Sequence, residues 1–206
     1  GGLLGHLAGA VPGVLAPAGP LGQGQHFAMA SARLHPGTLF PVTLGDGGLG
    51  EPYVLSGMMN FHLAFPDVTN FLPVLVWNGD SQEHHSMVSR LTNEEMVALW
   101  RAHGFQEVVL VDAASFGGGA PGGFVDSTGF PLEGRLSFAG AVLQGVDRAA
   151  RAALSGCLTA FIIKQMKGAG VHARGARSHN LYPQHSLGHP DIAAALGRLA
   201  LPAEAW

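Results

Sequence analysis

Two apolar runs, separated by one helix-like segment and each ending in a polar residue beside glycine, constrain this chain more than any other feature. The first runs from Leu39 through Leu44 into Gly45-Asp46-Gly47, the second from Phe71 through Trp77 into Asn78-Gly79. Strand, helix and strand in that order predict a parallel pair joined by a right-handed crossover. Asp46 and Asn78 then share the carboxyl edge of a sheet, where ligands bind in open α/β folds.

A carboxylate beside an amide oxygen suits Mg²⁺ holding a diphosphate. The ion takes near-octahedral oxygen ligands at roughly 2.1 Å, one or two from carboxylates and the rest from phosphate, carbonyl and water. Asp46 supplies the charge, Asn78 a neutral oxygen, and a main-chain carbonyl near Asp80 a third ligand. Gly45 and Gly47 let the diphosphate approach the main chain. Gly-Asp-Gly alone is a turn signal; the Asn at the end of the next strand turns it into a candidate ligand pair.

Gly-Asp-Gly followed by that Asn resembles the pattern of thiamine-diphosphate enzymes, and the surrounding residues resemble the phosphoketolases, with transketolase as a cousin. Phe71–Gly79 followed by Leu91–Phe105 is similar to the phosphoketolase strand, Asn-Gly and amphipathic helix. Gly1–Gly13 resembles that family's Gly-Gly, His and Pro-Gly at the same spacing, while Gly19-Pro-Leu-Gly-Gln-Gly24 resembles transketolase's cofactor loop. The resemblance covers nearly the whole chain and is strongest from Gly1 to Asp112.

The resemblance implies a thiamine-diphosphate-binding α/β fold, a parallel sheet flanked by helices, with thiamine diphosphate and Mg²⁺ as cofactors. It implies cleavage of a ketose phosphate such as xylulose 5-phosphate with inorganic phosphate, giving acetyl phosphate and an aldose phosphate. The alternatives are a transketolase moving a two-carbon ketol unit and a non-catalytic diphosphate-binding relative. Carried over residue by residue, Gly19 and Leu21 meet the thiamine, and Gly45, Asp46, Gly47 and Asn78 meet the diphosphate and its ion. His6, Lys167 and His185 face the sugar phosphate, with His179 the competitor of His185. Glu51 stands where transketolase has the Glu of its Gly-Asp-Gly motif. The sequence departs from phosphoketolases at Gly48, where acidic residues are usual, and at Ala16, where the family has a His. The Glu that activates the aminopyrimidine belongs to a second, pyrimidine-side domain, so such a partner domain and a homodimer or other homo-oligomer are implied.

Composition fits that picture. At 206 residues the chain is long enough for one domain with a substantial core. Its 47% hydrophobic against 12% charged residues suggests large buried interfaces, as in an obligate assembly. A net charge of -3 gives no general attraction to nucleic acid or membrane surfaces. The single cysteine, Cys157, excludes an internal disulfide and suits a reducing cytoplasm; Leu154, Leu158 and Phe161 around it predict a buried thiol. No apolar span reaches the ~20 residues of a membrane helix. Gly1 is read as a cut point inside a longer multidomain chain, with residues 1–206 forming one diphosphate-side domain.

Elsewhere, helices are expected over Pro20–Leu34, from Pro52 to Leu63, after the capping box Thr92-Asn93-Glu94-Glu95 up to Gly104, and from a Ser137 cap to Leu154. Strands are expected over Val108–Val111 and Leu158–Ile163. Pro41 places the first strand at a sheet edge or starts it late. His84 and His85 invite zinc, but no third ligand stands at a suitable spacing.

Overall fold

A computed structural model describes residues 21–81, 85–116 and 132–165. Helix α1 (Gly24–Leu34) leads to strand β1 (Phe40–Gly45), the single-turn helix α2 (Asp46–Leu49) and helix α3 (Pro52–Ala64). Strand β2 (Phe71–Trp77), helix α4 (Asn93–Ala102), strand β3 (Glu107–Asp112), helix α5 (Leu132–Leu154) and strand β4 (Thr159–Lys164) follow. The four strands form one parallel sheet in the order β1-β2-β4-β3, the α/β architecture expected. Among the described residues no helix is long and apolar enough to cross a membrane.

Side-chain alternation along β2 divides the interior. Phe71, Leu75 and Trp77 join Met29, Met58, Met96 and Trp100 in the larger cluster, whereas Leu72 packs with Val109, Val111, Ala149 and Phe161 in the smaller. This is the period-two signature of a strand covered on both faces. The two strand prolines are placed where a missing N–H is tolerated. Pro41 lies on β1, at the edge of the sheet among the described residues, and the β2–β4 ladder begins at Val74, one residue past Pro73.

Helix α4 is set by its capping box. The Glu95 N–H donates to the Thr92 hydroxyl at 3.2 Å, and the Thr92 N–H donates to the Glu95 carboxylate at 2.8 Å. Three expectations are corrected. Helix α1 starts at Gly24 rather than Pro20, because Leu21 and Gly22 form a turn. Helix α5 starts at Leu132, so Ser137 lies inside it and is not its cap. Cys157 is half-buried rather than buried, since it sits in the turn between α5 and β4.

Helix α3 is the least covered element near the sheet's carboxyl edge. Of its thirteen mostly apolar residues, only Val54 and Met58 are buried, while Tyr53 is 42% and Leu63 71% exposed.

Candidate functional site at the carboxyl edge of the sheet

Register fixes the site. Gly45 pairs with Val76, Trp77 with Lys164 and Lys164 with Asp112, so the chain leaves β1 at Asp46 beside the exit of β2. The Asp46 side chain, 2% exposed, turns onto that exit. Its Oδ1 accepts the Asn78 N–H at 3.0 Å, and its Oδ2 accepts the Gly79 N–H at 2.7 Å and the Ser86 hydroxyl at 2.9 Å. Gly79 holds φ +80°, a conformation glycine adopts without a side-chain clash. That conformation brings two successive N–H groups onto one carboxylate. The Asn78 Oδ1 accepts the Asp80 N–H at 3.0 Å, and the loop folds back so that the Ser86 N–H reaches the Gly79 carbonyl at 3.1 Å. His85 Nδ1 lies 3.4 Å from Asp80 Oδ1 across an isolated bridge.

Glycines clear the space around Asp46. A Cβ on Gly45 would meet nothing within 4 Å, and one on Gly47 would meet first the Leu21 side chain at 3.7 Å. A Cβ on Gly48 would lie 3.9 Å from the Gly22 nitrogen, so the Leu21–Gly22 turn borders the Gly47–Gly48 main chain. The Tyr53 hydroxyl donates to the Leu21 carbonyl and ties this turn to α3.

Burial pushes the Asp46 carboxyl above its ordinary value of 3.8; the hydrogen bonds from Asn78, Ser86 and Gly79, and the field of its own nearby N–H, pull the other way. Among the described residues no ion pair neutralises the Asp46 carboxylate. It offers about four acceptor positions, of which three are taken by the hydrogen bonds above, and the Asn78 amide oxygen offers two, one of them taken. The donor set therefore fits a small divalent cation: one anionic oxygen, one amide oxygen and adjacent main chain, with open glycine backbone for an anion the cation would carry.

Of the residues expected at the site, Leu21, Gly45, Asp46, Gly47, Asn78 and Asp80 gather within this corner. Gly19, His6, Lys167, His185 and His179 lie outside the described residues, as does Ala16. Glu51 precedes Pro52 at the start of α3 and makes no side-chain cap. Among the described residues no group of three His, Cys, Asp or Glu side chains could hold a metal ion, and His84 lies outside the described residues.

Two polar features have no clear sequence signal. Ser86 reaches Asp46 across forty residues of chain. At the ends of β3 and β4, Lys164 Nζ donates to Asn93 Oδ1 at 2.6 Å, lies 3.5 Å from Asp112 Oδ2 and stands 4.2 Å above the Trp77 ring. Asn93 also donates to Asp112 at 2.9 Å, so this lysine is consumed by structure.

No protein-family model matches the chain, and no curated protein sequence is significantly similar to it. Solved structures are similar in fold. The transketolase of Campylobacter jejuni matches with a TM-score of 0.54 at 20% identity, over 91% of this chain and 26% of its own. That of Leishmania mexicana matches with 0.57 at 20% identity, over 94% and 26%. A point mutant of the Pichia stipitis transketolase matches with 0.59 at 19% identity, over 94% and 26%. The chain spans about a quarter of the length of each, and its fold is the transketolase-like α/β fold of that quarter.

Proposed function

We propose that this chain is the diphosphate-holding domain of a thiamine-diphosphate-dependent enzyme acting on ketose phosphates, with phosphoketolase chemistry as the first reading. The observation that carries the proposal is the buried Asp46 carboxylate, held onto the Asn78-Gly79 main chain at the carboxyl edge of the sheet. Asp46 and Asn78, with main chain at Asp80, would hold Mg²⁺. Gly45 and Gly47 would admit the diphosphate, and Gly19 and Leu21 would lie against the thiamine. When bound, thiamine diphosphate supplies the carbon nucleophile that allows a ketose phosphate to break beside its carbonyl.

The chain's own contribution is placement and charge. His6 and His185 are suited to donate hydrogen bonds to sugar hydroxyls and to carry protons near neutral pH, and Lys167 to neutralise phosphate charge. Loss of water from the two-carbon unit and its capture by inorganic phosphate, yielding acetyl phosphate, would need such donors. The half-covered α3 supports a partner domain or second subunit against it, completing the pyrimidine side of the site.

Transketolase chemistry is the second reading, favoured by the shared fold and by the Gly19–Gly24 loop. The test uses the full-length protein with xylulose 5-phosphate, supplied either with inorganic phosphate or with ribose 5-phosphate. Acetyl phosphate formation, reduced about 10²-fold to 10³-fold in His6→Ala with cofactor binding retained, supports phosphoketolase. Transfer to ribose 5-phosphate without any response to phosphate establishes the second reading instead. A protein that binds no thiamine diphosphate in the presence of Mg²⁺ ends both.

A further inference from the structure

We infer that Ser86 is a positioning residue that decides which oxygen of Asp46 meets a cation, and thereby favours Mg²⁺ over Ca²⁺; this rests on reading Asp46 as a cation ligand. Each oxygen of an ionised carboxylate offers about two acceptor positions. Oδ2 receives the Gly79 N–H at 2.7 Å and the Ser86 hydroxyl at 2.9 Å, which engages both. Oδ1 receives the Asn78 N–H at 3.0 Å and retains the other position. The hydroxyl is thus what separates the two oxygens: without it, each would have one engaged position and one free.

Ser86 is built to make this contact. It is buried, and its own N–H is anchored on the Gly79 carbonyl at 3.1 Å, in the loop whose first residues bind Asp46. Its carbonyl accepts the Ser89 N–H at 3.0 Å, which fixes it at the head of the 3₁₀ turn Met87–Arg90. Hydroxyl and carboxylate are therefore placed by separate main-chain anchors.

The chemical consequence follows from how the two ions use carboxylates. Ca²⁺ takes six to eight oxygens in flexible geometry and often binds both oxygens of one carboxylate, whereas Mg²⁺ demands near-octahedral geometry. A saturated Oδ2 denies the two-oxygen mode and leaves a single oxygen for the ion. That arrangement penalises Ca²⁺ relative to Mg²⁺.

The test is calorimetric titration of Mg²⁺ and, separately, Ca²⁺ into the full-length protein at fixed thiamine diphosphate, comparing wild type with S86A, S86T and D46N. In S86A, Mg²⁺ affinity should fall about 10-fold to 100-fold, the usual effect of removing a partner of a metal-ligating side chain. Ca²⁺ affinity should fall less, so the preference moves toward Ca²⁺, and S86T, which keeps the hydroxyl, should restore the wild-type ratio. Equal losses for both ions, an unchanged ratio, or S86T behaving as S86A would overturn the inference. If circular dichroism shows S86A unfolded, S86C, similar in size and a poor donor, carries the same ratio criterion. Wild-type affinity for both ions in D46N, or no ion binding by the wild type, means that the reading of Asp46 has failed. Loss of both ions in D46N with an unshifted ratio in S86A means that the role of Ser86 alone has failed.

Discussion

Replacing Asp46 with alanine sets two opposed effects against each other in the metal-free protein. The carboxylate accepts three hydrogen bonds, and bonds to a charged group contribute about 1.5–3 kcal/mol each. Against them stands the cost of burying an ion, several kcal/mol even after relaxation and large enough here to raise the carboxyl's pKa despite those bonds. Alanine removes the burial cost but strands the Asn78 and Gly79 N–H groups, each worth ~1–3 kcal/mol if unpaired. Both residues are half-buried, so water recovers part of that loss. The Ser86 hydroxyl can rotate toward another acceptor. The net expectation is that Asp46→Ala destabilises the metal-free protein by about 2–4 kcal/mol. Urea unfolding in chelator, with wild type and variant compared at equal slope, measures it. A variant as stable as wild type, or more stable, would show that ion burial outweighs the amide contacts and that Asp46 is no structural clasp between β1 and β2.

The raised Asp46 pKa also sets a direction with pH. Because the folded state holds this proton more tightly than the unfolded chain, the carboxyl's contribution to metal-free stability is full below 3.8 and is lost as pH rises through the folded value. Cation binding runs the other way, so Mg²⁺-dependent thiamine diphosphate binding should weaken as the pH falls, with the loss setting in while the pH is still above 3.8; a titration flat down to that value would contradict it. Gly22→Ala should destabilise by about 2–4 kcal/mol, since φ is +73° and the new Cβ falls 2.6 Å from Val54 Cγ2; thermal unfolding reads it, and a neutral result would mean the turn moves freely. Leu63→Asp, on the open part of α3, should change the chain's own stability by under about 0.5 kcal/mol yet weaken association of the full-length protein, seen by light scattering. Unchanged association would place the partner elsewhere.

What the sequence disclosed and what it withheld separate along a physical line. Phe71–Trp77 was legible to the residue because an apolar run ending in Asn-Gly carries its own start and stop. The capping box at Thr92 and the stop at Gly104, with φ +96°, are likewise local chemistry within one helical turn. The shared edge position of Asp46 and Asn78 was legible because strand-helix-strand connectivity has one common handedness. Ser86 was not, since its contact spans a loop whose path no short-range rule dictates. Nor was the use of Lys164 by Asn93 and Asp112, which requires the register of β3 against β4. The start of α5 at Leu132 escaped because Ser137 was taken as an N-cap, whereas it lies within the helix.

The strand order β1-β2-β4-β3 has a consequence for a chain made from its amino end. The unit from β1 to β2 is a contiguous crossover that can close as soon as Trp77 and the following loop have left the ribosome, with Asp46 already able to grip Asn78 and Gly79. Among the described residues, β3 pairs only with β4, which is fifty residues younger and must enter between β2 and β3. Until Thr159–Lys164 emerges, β3 is an apolar strand with both edges open, and such intermediates are where nascent chains recruit chaperones or misassociate. The vulnerable interval in synthesis thus lies across Ala113–Leu158, and slowing elongation there would prolong exposure of β3, whereas slowing it before Phe71 would not.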